Sequence, residues 1–235
     1  MPRVERISFI PIYEKLFSFL GHSKWWPASS PFEVMVGAIL TQNTSWKNVE
    51  KAIGELKKNG IMSPHSMNEV KEENLALMIK SSGYYNQKAK KLKSLLLWYS
   101  DCGLSISRVK TKYSSRWDDL RRDLLSIHGV GPETADSILC YAFELPYFVV
   151  DAYTFRLLER FTGRIYSSYA DVQKMVMDEF ASHYSKKKLV RHFNEFHALI
   201  VRLSYKICAK RNPSCPECPL KKTCREGRLK SGGAS

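Results

Sequence analysis

Residues 128–137 read HGVGPETADS, two glycines around Val130 followed by Pro132 and Glu133. The flanking runs, RWDDLRRDLLSIHG before and PETADSILCYAFEL after, carry apolar residues at helical spacing. The stretch therefore reads as helix, tight glycine turn, helix. Glycine permits positive φ and leaves no side chain in the way, and Pro132 suits a first helical turn. Such a turn can present backbone N–H groups at a helix N-terminus to an anion. It is not a dinucleotide fingerprint, because no strand precedes it and no third glycine follows. It is not a P-loop, because Gly-Lys-Ser/Thr is missing. Taken alone, a plain glycine link between packed helices is the simpler account.

The neighbouring sequence extends the helical pattern. PFEVMVGAIL, SWKNVEKAIGELKKNG, MNEVKEENLALMIKSSG and NQKAKKLKSLLLWYSDCG precede the turn, and DAYTFRLLERFTG, YADVQKMVMDEFASHY and KLVRHFNEFHALIVRLSYKIC follow it. Several end at glycine, a common helix stop. The best strand candidate, YFVV at 147–150, is very short. The chain thus reads as all-α, with many short helices and no internal repeat. Only its end, residues 226–235, reads as disordered.

With 235 residues, 44% of them hydrophobic, the chain can bury a real core. No apolar run has transmembrane length, and MPRVERISFIPIYEKLF lacks a signal-peptide core. A soluble, intracellular (cytoplasmic) protein with no membrane partner is expected. The 37 Lys and Arg against 23 Asp and Glu give a formal net charge of +14. That excess favours polyanions, nucleic acid before anionic membrane because no single basic run stands out.

CAKRNPSCPECPLKKTC places Cys208, Cys215, Cys218 and Cys224 in a C-x6-C-x2-C-x5-C pattern. Four thiolates this close can surround one metal centre, and prolines 213, 216 and 219 stiffen the loops between them. A disulfide knot does not suit a chain without a secretory signal. Zinc and an iron–sulfur cluster both fit this spacing. Cys102 and Cys140 lie outside the pattern and read as core thiols. Lys210 and Arg211, between the first two cysteines, are either solvated or a finger to DNA phosphates. Asp151, just before an amphipathic helix, is adequately explained as an N-cap.

Together, LLSIHGVGPETA, VVDAYTFRL and the four-cysteine loop resemble the helix-hairpin-helix DNA glycosylase superfamily that includes endonuclease III. SPFEVMVGAILTQNT and GYYNQKAKKL add to the resemblance, which spans roughly residues 30 to 225. It implies two all-α domains: a six-helix barrel at 31–145, and a second domain joining 1–30 to 146–225 around a [4Fe–4S] cluster on the four cysteines. It implies a monomer acting on double-stranded DNA that contains a damaged base. The hairpin amides of Gly129, Val130 and Gly131, with Thr134, would grip phosphates. Asp151 would be the catalytic carboxylate, stabilising positive charge on the sugar and helping to activate water, in the spirit of glycoside hydrolysis.

Glu133 departs from the pattern of family members that also cut the strand. Those carry a lysine there, whose amine forms a Schiff base. A carboxylate cannot, so the resemblance implies a monofunctional glycosylase. WWP at 25–27 with ILTQNT and GVGPETAD looks most like the 3-methyladenine DNA glycosylase III branch. Trp25, Trp26, Pro27 and Trp46 would then form the base pocket, with Glu133 near the substrate, if the tryptophans are not simply core. Electron-rich indoles suit a cationic alkylated purine. Gln42 or Asn43 would fill the gap left by the flipped base, or serve as ordinary helix-end amides. Competing readings are a bifunctional glycosylase for oxidised pyrimidines, a mismatch thymine or uracil glycosylase, and a non-enzymatic DNA-binding iron–sulfur protein.

Overall fold

The structure is a computed structural model that describes residues 7–23 and 25–231. Among these residues every regular element is helical, and the chain divides into two compact units. Pro27–Leu145 forms one unit; the segment through Trp26 joins the chain from Pro146 onward to form the other. The boundary thus falls at Pro27, not at 31.

The N-terminal segment contributes α1 (Ile10–Leu20). The continuous unit follows with α2 (Pro31–Leu40), α3 (Trp46–Lys58), α4 (Pro64–Glu69), α5 (Glu72–Met78), α6 (Tyr85–Asp101), α7 (Ile106–Tyr113), α8 (Trp117–Ser126) and α9 (Pro132–Ser137). A π turn, Ile138–Ala142, continues α9. The chain then returns to the unit that holds α1, as α10 (Ala152–Thr162), α11 (Tyr169–His183), α12 (Lys186–Lys206) and α13 (Arg225–Ser231).

In the continuous unit α2 is central, because it is apolar nearly all round and nothing on it favours water. Only Pro31 among its residues is exposed. It packs on α3, α6, α9 and the π turn. Each fully buried Leu or Ile contributes about 1.5–3 kcal/mol of transfer free energy. Its N-terminus is fixed by the Ser30 hydroxyl, which accepts the Glu33 N–H at 3.2 Å. The buried Glu33 carboxylate in turn accepts the Ser29 N–H at 3.1 Å and pairs with Lys57 at 2.7 Å.

In the discontinuous unit α12 is the axis, touching α1, α10 and α11. Tyr13, Phe148, Phe180, Phe193 and Phe196 form one aromatic core around it.

Three expectations change. MNEVKEENLALMIKSSG is two helices, broken where Val70 is extended (ψ 133°). Glu72 and Glu73 restart the helix beyond the break, at the end where the dipole favours anions. YFVV is extended but pairs with no strand; the Gln173 side chain donates to Phe148 O at 2.7 Å instead. The tail is helical through Ser231, with Glu226 and Lys230 one turn apart at 2.9 Å. Residues 232–235 of the expected disordered end lie outside the described residues.

Candidate functional site

The glycine turn is built from the continuous unit alone. Gly129 has φ +82°, and a Cβ there would sit 2.3 Å from Lys91 Cγ, so both backbone and neighbour require glycine. Gly131 is extended (φ −92°, ψ 179°) and caps α9, and a Cβ there would meet nothing within 4 Å. It is therefore an open approach to the helix N-terminus, not a constrained position. The Val130 N–H is spent inside the turn on Ile127 O at 3.0 Å, and its side chain is buried. The Thr134 hydroxyl also faces inward.

Gln42 holds this turn from behind. Its Nε2 donates to Gly129 O and Thr134 Oγ1, both at 3.0 Å, and its Oε1 accepts from Lys91 Nζ at 2.6 Å. Asn43 is exposed and left-handed (φ +52°). Gln42 is thus committed to the hairpin while Asn43 is presented outward. Just behind them the buried Lys88 Nζ donates to Leu40 O and Ser82 O at 2.8 and 2.7 Å, capping the end of α2. Burial, with some repulsion from Lys91, pushes its ammonium down to about 8. Glu133 is exposed in the first turn of α9, where a negative charge is favoured. Trp46 opens α3 and is half-buried.

Asp151 lies in the other unit. It is the N-cap of α10 and nearly buried. Its Oδ1 accepts the Thr154 N–H at 2.7 Å and the Thr154 hydroxyl at 2.9 Å. Its Oδ2 lies 3.4 Å from His197 Nε2 on α12. Burial pushes the carboxyl up, but the His197 imidazole and the Thr154 donors outweigh it and hold the group below the usual carboxylate range.

The same helix grips the cysteine loop. Arg156 Nε donates to Cys208 O at 3.1 Å. Arg160 donates to Cys208 O, Cys208 Sγ, Ala209 O and Lys210 O at 2.8–3.2 Å. Cys208, Cys215, Cys218 and Cys224 line one small cavity of about 20 Å³, walled by Leu157, Leu203, Ile207 and Leu220. Burial first, and then the other three sulfurs, push the Cys218 thiol up to about 11, a sign of how close the four lie. A cationic centre would reverse that tendency by drawing off the protons. Among the described residues no group of three or more His, Cys, Asp or Glu is arranged to hold a single metal ion. The donor set itself, four cysteines around one small, largely apolar cavity with an arginine N–H on one of the sulfurs, fits a thiolate-bound cluster. Lys210 and Arg211 are exposed beside it.

Trp25 and Trp26 are half-buried, with ring centroids 5.6 Å apart and planes tilted by 53°. They lean on each other, so this pair by itself forms no parallel-walled slot; Pro27 is exposed. Glu195 on α12 anchors the approach to them: it accepts the Ser23 N–H at 2.7 Å and meets His22 at 3.2 Å.

Lys91, Thr154, Arg160, Glu195 and His197 were not singled out from the sequence. Thr154 had a readable signal, a hydroxyl three residues after a capping aspartate. So did His197, a polar residue within the apolar run FHALIV.

The model of the HhH-GPD superfamily base excision DNA repair proteins matches residues 36–182. A candidate DNA repair glycosylase of Methanocaldococcus jannaschii is 43% identical, covering 91% of this chain and 94% of its own. Endonuclease III of Thermotoga maritima is 30% identical, covering 87% of each chain. Among solved structures, an H. pylori 3-methyladenine DNA glycosylase bound to 1,N6-ethenoadenine superposes with a TM-score of 0.74 at 30% identity. That match covers 85% of this chain and 98% of the other.

Proposed function

The chain belongs to the HhH-GPD superfamily of base excision DNA repair proteins, and on that premise we propose that it is a monofunctional glycosylase for alkylated purines, 3-methyladenine first among them. One observation carries the reading: Asp151 is a buried carboxylate faced by the Thr154 N–H and hydroxyl and by the His197 imidazole, while position 133 holds a glutamate, which has no amine to form a Schiff base. A fixed anion stabilises an oxocarbenium-like sugar. Without the lysine no Schiff base forms there, so water completes the reaction and an abasic site remains.

The substrate half of the reading is supported by likeness to the H. pylori enzyme and by the tryptophans. N3-alkylation makes adenine cationic and a good leaving group, and indole faces attract such a ring. Trp25, Trp26, Pro27, Trp46 and Glu133 are the residues proposed to bind the substrate base. Asn43, exposed where Gln42 is committed, is the amide proposed to fill the gap. Phosphate gripping falls to the amides of Gly129 and Gly131 and to Lys210 and Arg211, because the Val130 N–H is bonded within the turn and the Thr134 side chain is buried.

Cys208, Cys215, Cys218 and Cys224 are proposed to hold a [4Fe–4S] cluster, which would tie the loop between α12 and α13 to α10 and take no part in base excision. The protein is proposed to act as a monomer on duplex DNA in the cytoplasm. Among the described residues no helix is long and apolar enough to cross a membrane.

The test offers duplexes bearing 3-methyladenine, oxidised pyrimidines, 8-oxoguanine and mismatches in parallel, scored before and after alkali. The expected result is release of the alkylated purine, strand scission only after alkali, and little borohydride-trapped complex. Efficient trapping, or release confined to oxidised or mismatched bases, would overturn the proposal.

A further inference from the structure

The two oxygens of Asp151 sit in unlike settings. Oδ1 is taken twice by Thr154, and Oδ2 faces the His197 imidazole at 3.4 Å. Both side chains are nearly sealed from solvent, at 7% and 6% exposure. From these contacts we infer that His197 is a positioning residue of the catalytic centre. It fixes Asp151 as a permanent anion, whose work is to stabilise cationic charge on the sugar and not to remove a proton from water. The inference rests on the glycosylase reading, in which Asp151 is the reacting carboxylate.

A general base must aim a lone pair at water and then keep the proton. Here the surroundings oppose the second requirement. The Thr154 N–H and hydroxyl, the N-terminal end of α10 and the imidazole edge all favour the charged form. As the Nε2–H tautomer or as imidazolium, His197 offers Oδ2 a proton donor. Left without such partners, a carboxylate this buried would neutralise. Among the described residues Tyr153 on α10 also interacts with Asp151, and it in turn contacts Arg156 on the same helix and Tyr205 on α12. Neither tyrosine supplies a charge that replaces the imidazole. The 3.4 Å separation is long, as such contacts often are before substrate arrives.

The chemistry balances without a protein base. The bond between C1′ and the alkylated purine breaks, and its electron pair neutralises the cationic base as it leaves. The water oxygen bonds to C1′, and its proton passes to solvent. Asp151 is ionised at the start and at the end. The sign of the pH effect follows: removing His197 raises the carboxyl, so activity is lost as pH falls, on the acid side only.

The experiment uses the full-length chain as wild type, His197→Leu, His197→Gln and Asp151→Asn. Single-turnover release of 3-methyladenine is followed from about pH 5.5 to about pH 8. In parallel, carboxyl ¹³C NMR titrates Asp151, its signal assigned by its absence from Asp151→Asn. His197→Leu is expected to lose on the order of 10-fold more rate at the acid end than at the neutral end. His197→Gln, which keeps an N–H donor, should recover most of that loss, and the Asp151 titration should move up in the leucine variant alone. A wild-type profile and an unmoved carboxyl titration in His197→Leu would overturn the inference. If the wild type releases no alkylated base, the functional reading fails, and the NMR arm still decides the role of His197. Should the leucine variant not fold, the wild-type titration decides: Asp151 titrating in the ordinary carboxylate range overturns the inference, and a depressed step coupled to the imidazole supports it.

Discussion

Gly129 and Gly131 look interchangeable in the sequence and are not. Gly129 is held at φ +82° with the Lys91 stem laid across it, and Lys91 in turn holds Gln42. Alanine at 129 is expected to cost about 1–3 kcal/mol from backbone strain, and to weaken duplex binding because Lys91 must leave Gln42. Alanine at 131 meets neither obstacle, so its denaturation midpoint should stay within about 0.5 kcal/mol of wild type. Any loss of duplex affinity in that variant then reports the close approach of a phosphate. Equal melting losses for the two would refute the distinction. The glycine pair signalled a turn from sequence alone. What distinguishes the two glycines is a lysine from another helix, which no local pattern encodes. His197 was hidden for the related reason that its meaning depends on Asp151, far away in the chain.

At the scale of elements, α10 does three jobs along its length: Asp151 caps its start, Arg156 reaches the cysteine loop from its middle, and Arg160 holds that loop from its last turn. Purified protein is expected to be yellow-brown and to contain iron. Arg160→Leu removes four donated hydrogen bonds from the loop, one of them to Cys208 Sγ, and should speed loss of colour to a chelator by at least several-fold. Colourless protein with stoichiometric zinc, or an unchanged rate of bleaching, would refute this. The long or uniformly apolar helices, α2 and α12, were legible because one physical cause, burial, sets their pattern. The break between α4 and α5 was not, since alternative helix starts differ by only tenths of a kilocalorie per residue. Nor was the unpaired course of YFVV, where side-chain donors replace a strand partner.

For the whole molecule, the formal charge of +14 makes binding to undamaged duplex strongly salt-dependent. If Lys210 and Arg211 each meet a phosphate, the doubly substituted Lys210→Gln/Arg211→Gln chain should show a log–log salt slope shallower by about 2. An unchanged slope would return both to the solvated surface. The discontinuous unit has a further consequence, for order of assembly. α1 is made first, yet its partners are far downstream: the Phe9 N–H meets Glu179 across 170 residues, and the Ser23 N–H meets Glu195 across 172. The whole of Pro27–Leu145 is synthesised in between, a wait of roughly 6–24 s at synthesis speeds of about 5–20 residues per second. The intervening unit can close on the ribosome while the apolar side of α1, with Ile12 and Leu16, still awaits cover. Asp151 and the cysteine loop belong to the unit whose chain is finished last, so a truncated nascent chain can hold a finished glycine hairpin and lack Asp151 and the four cysteines.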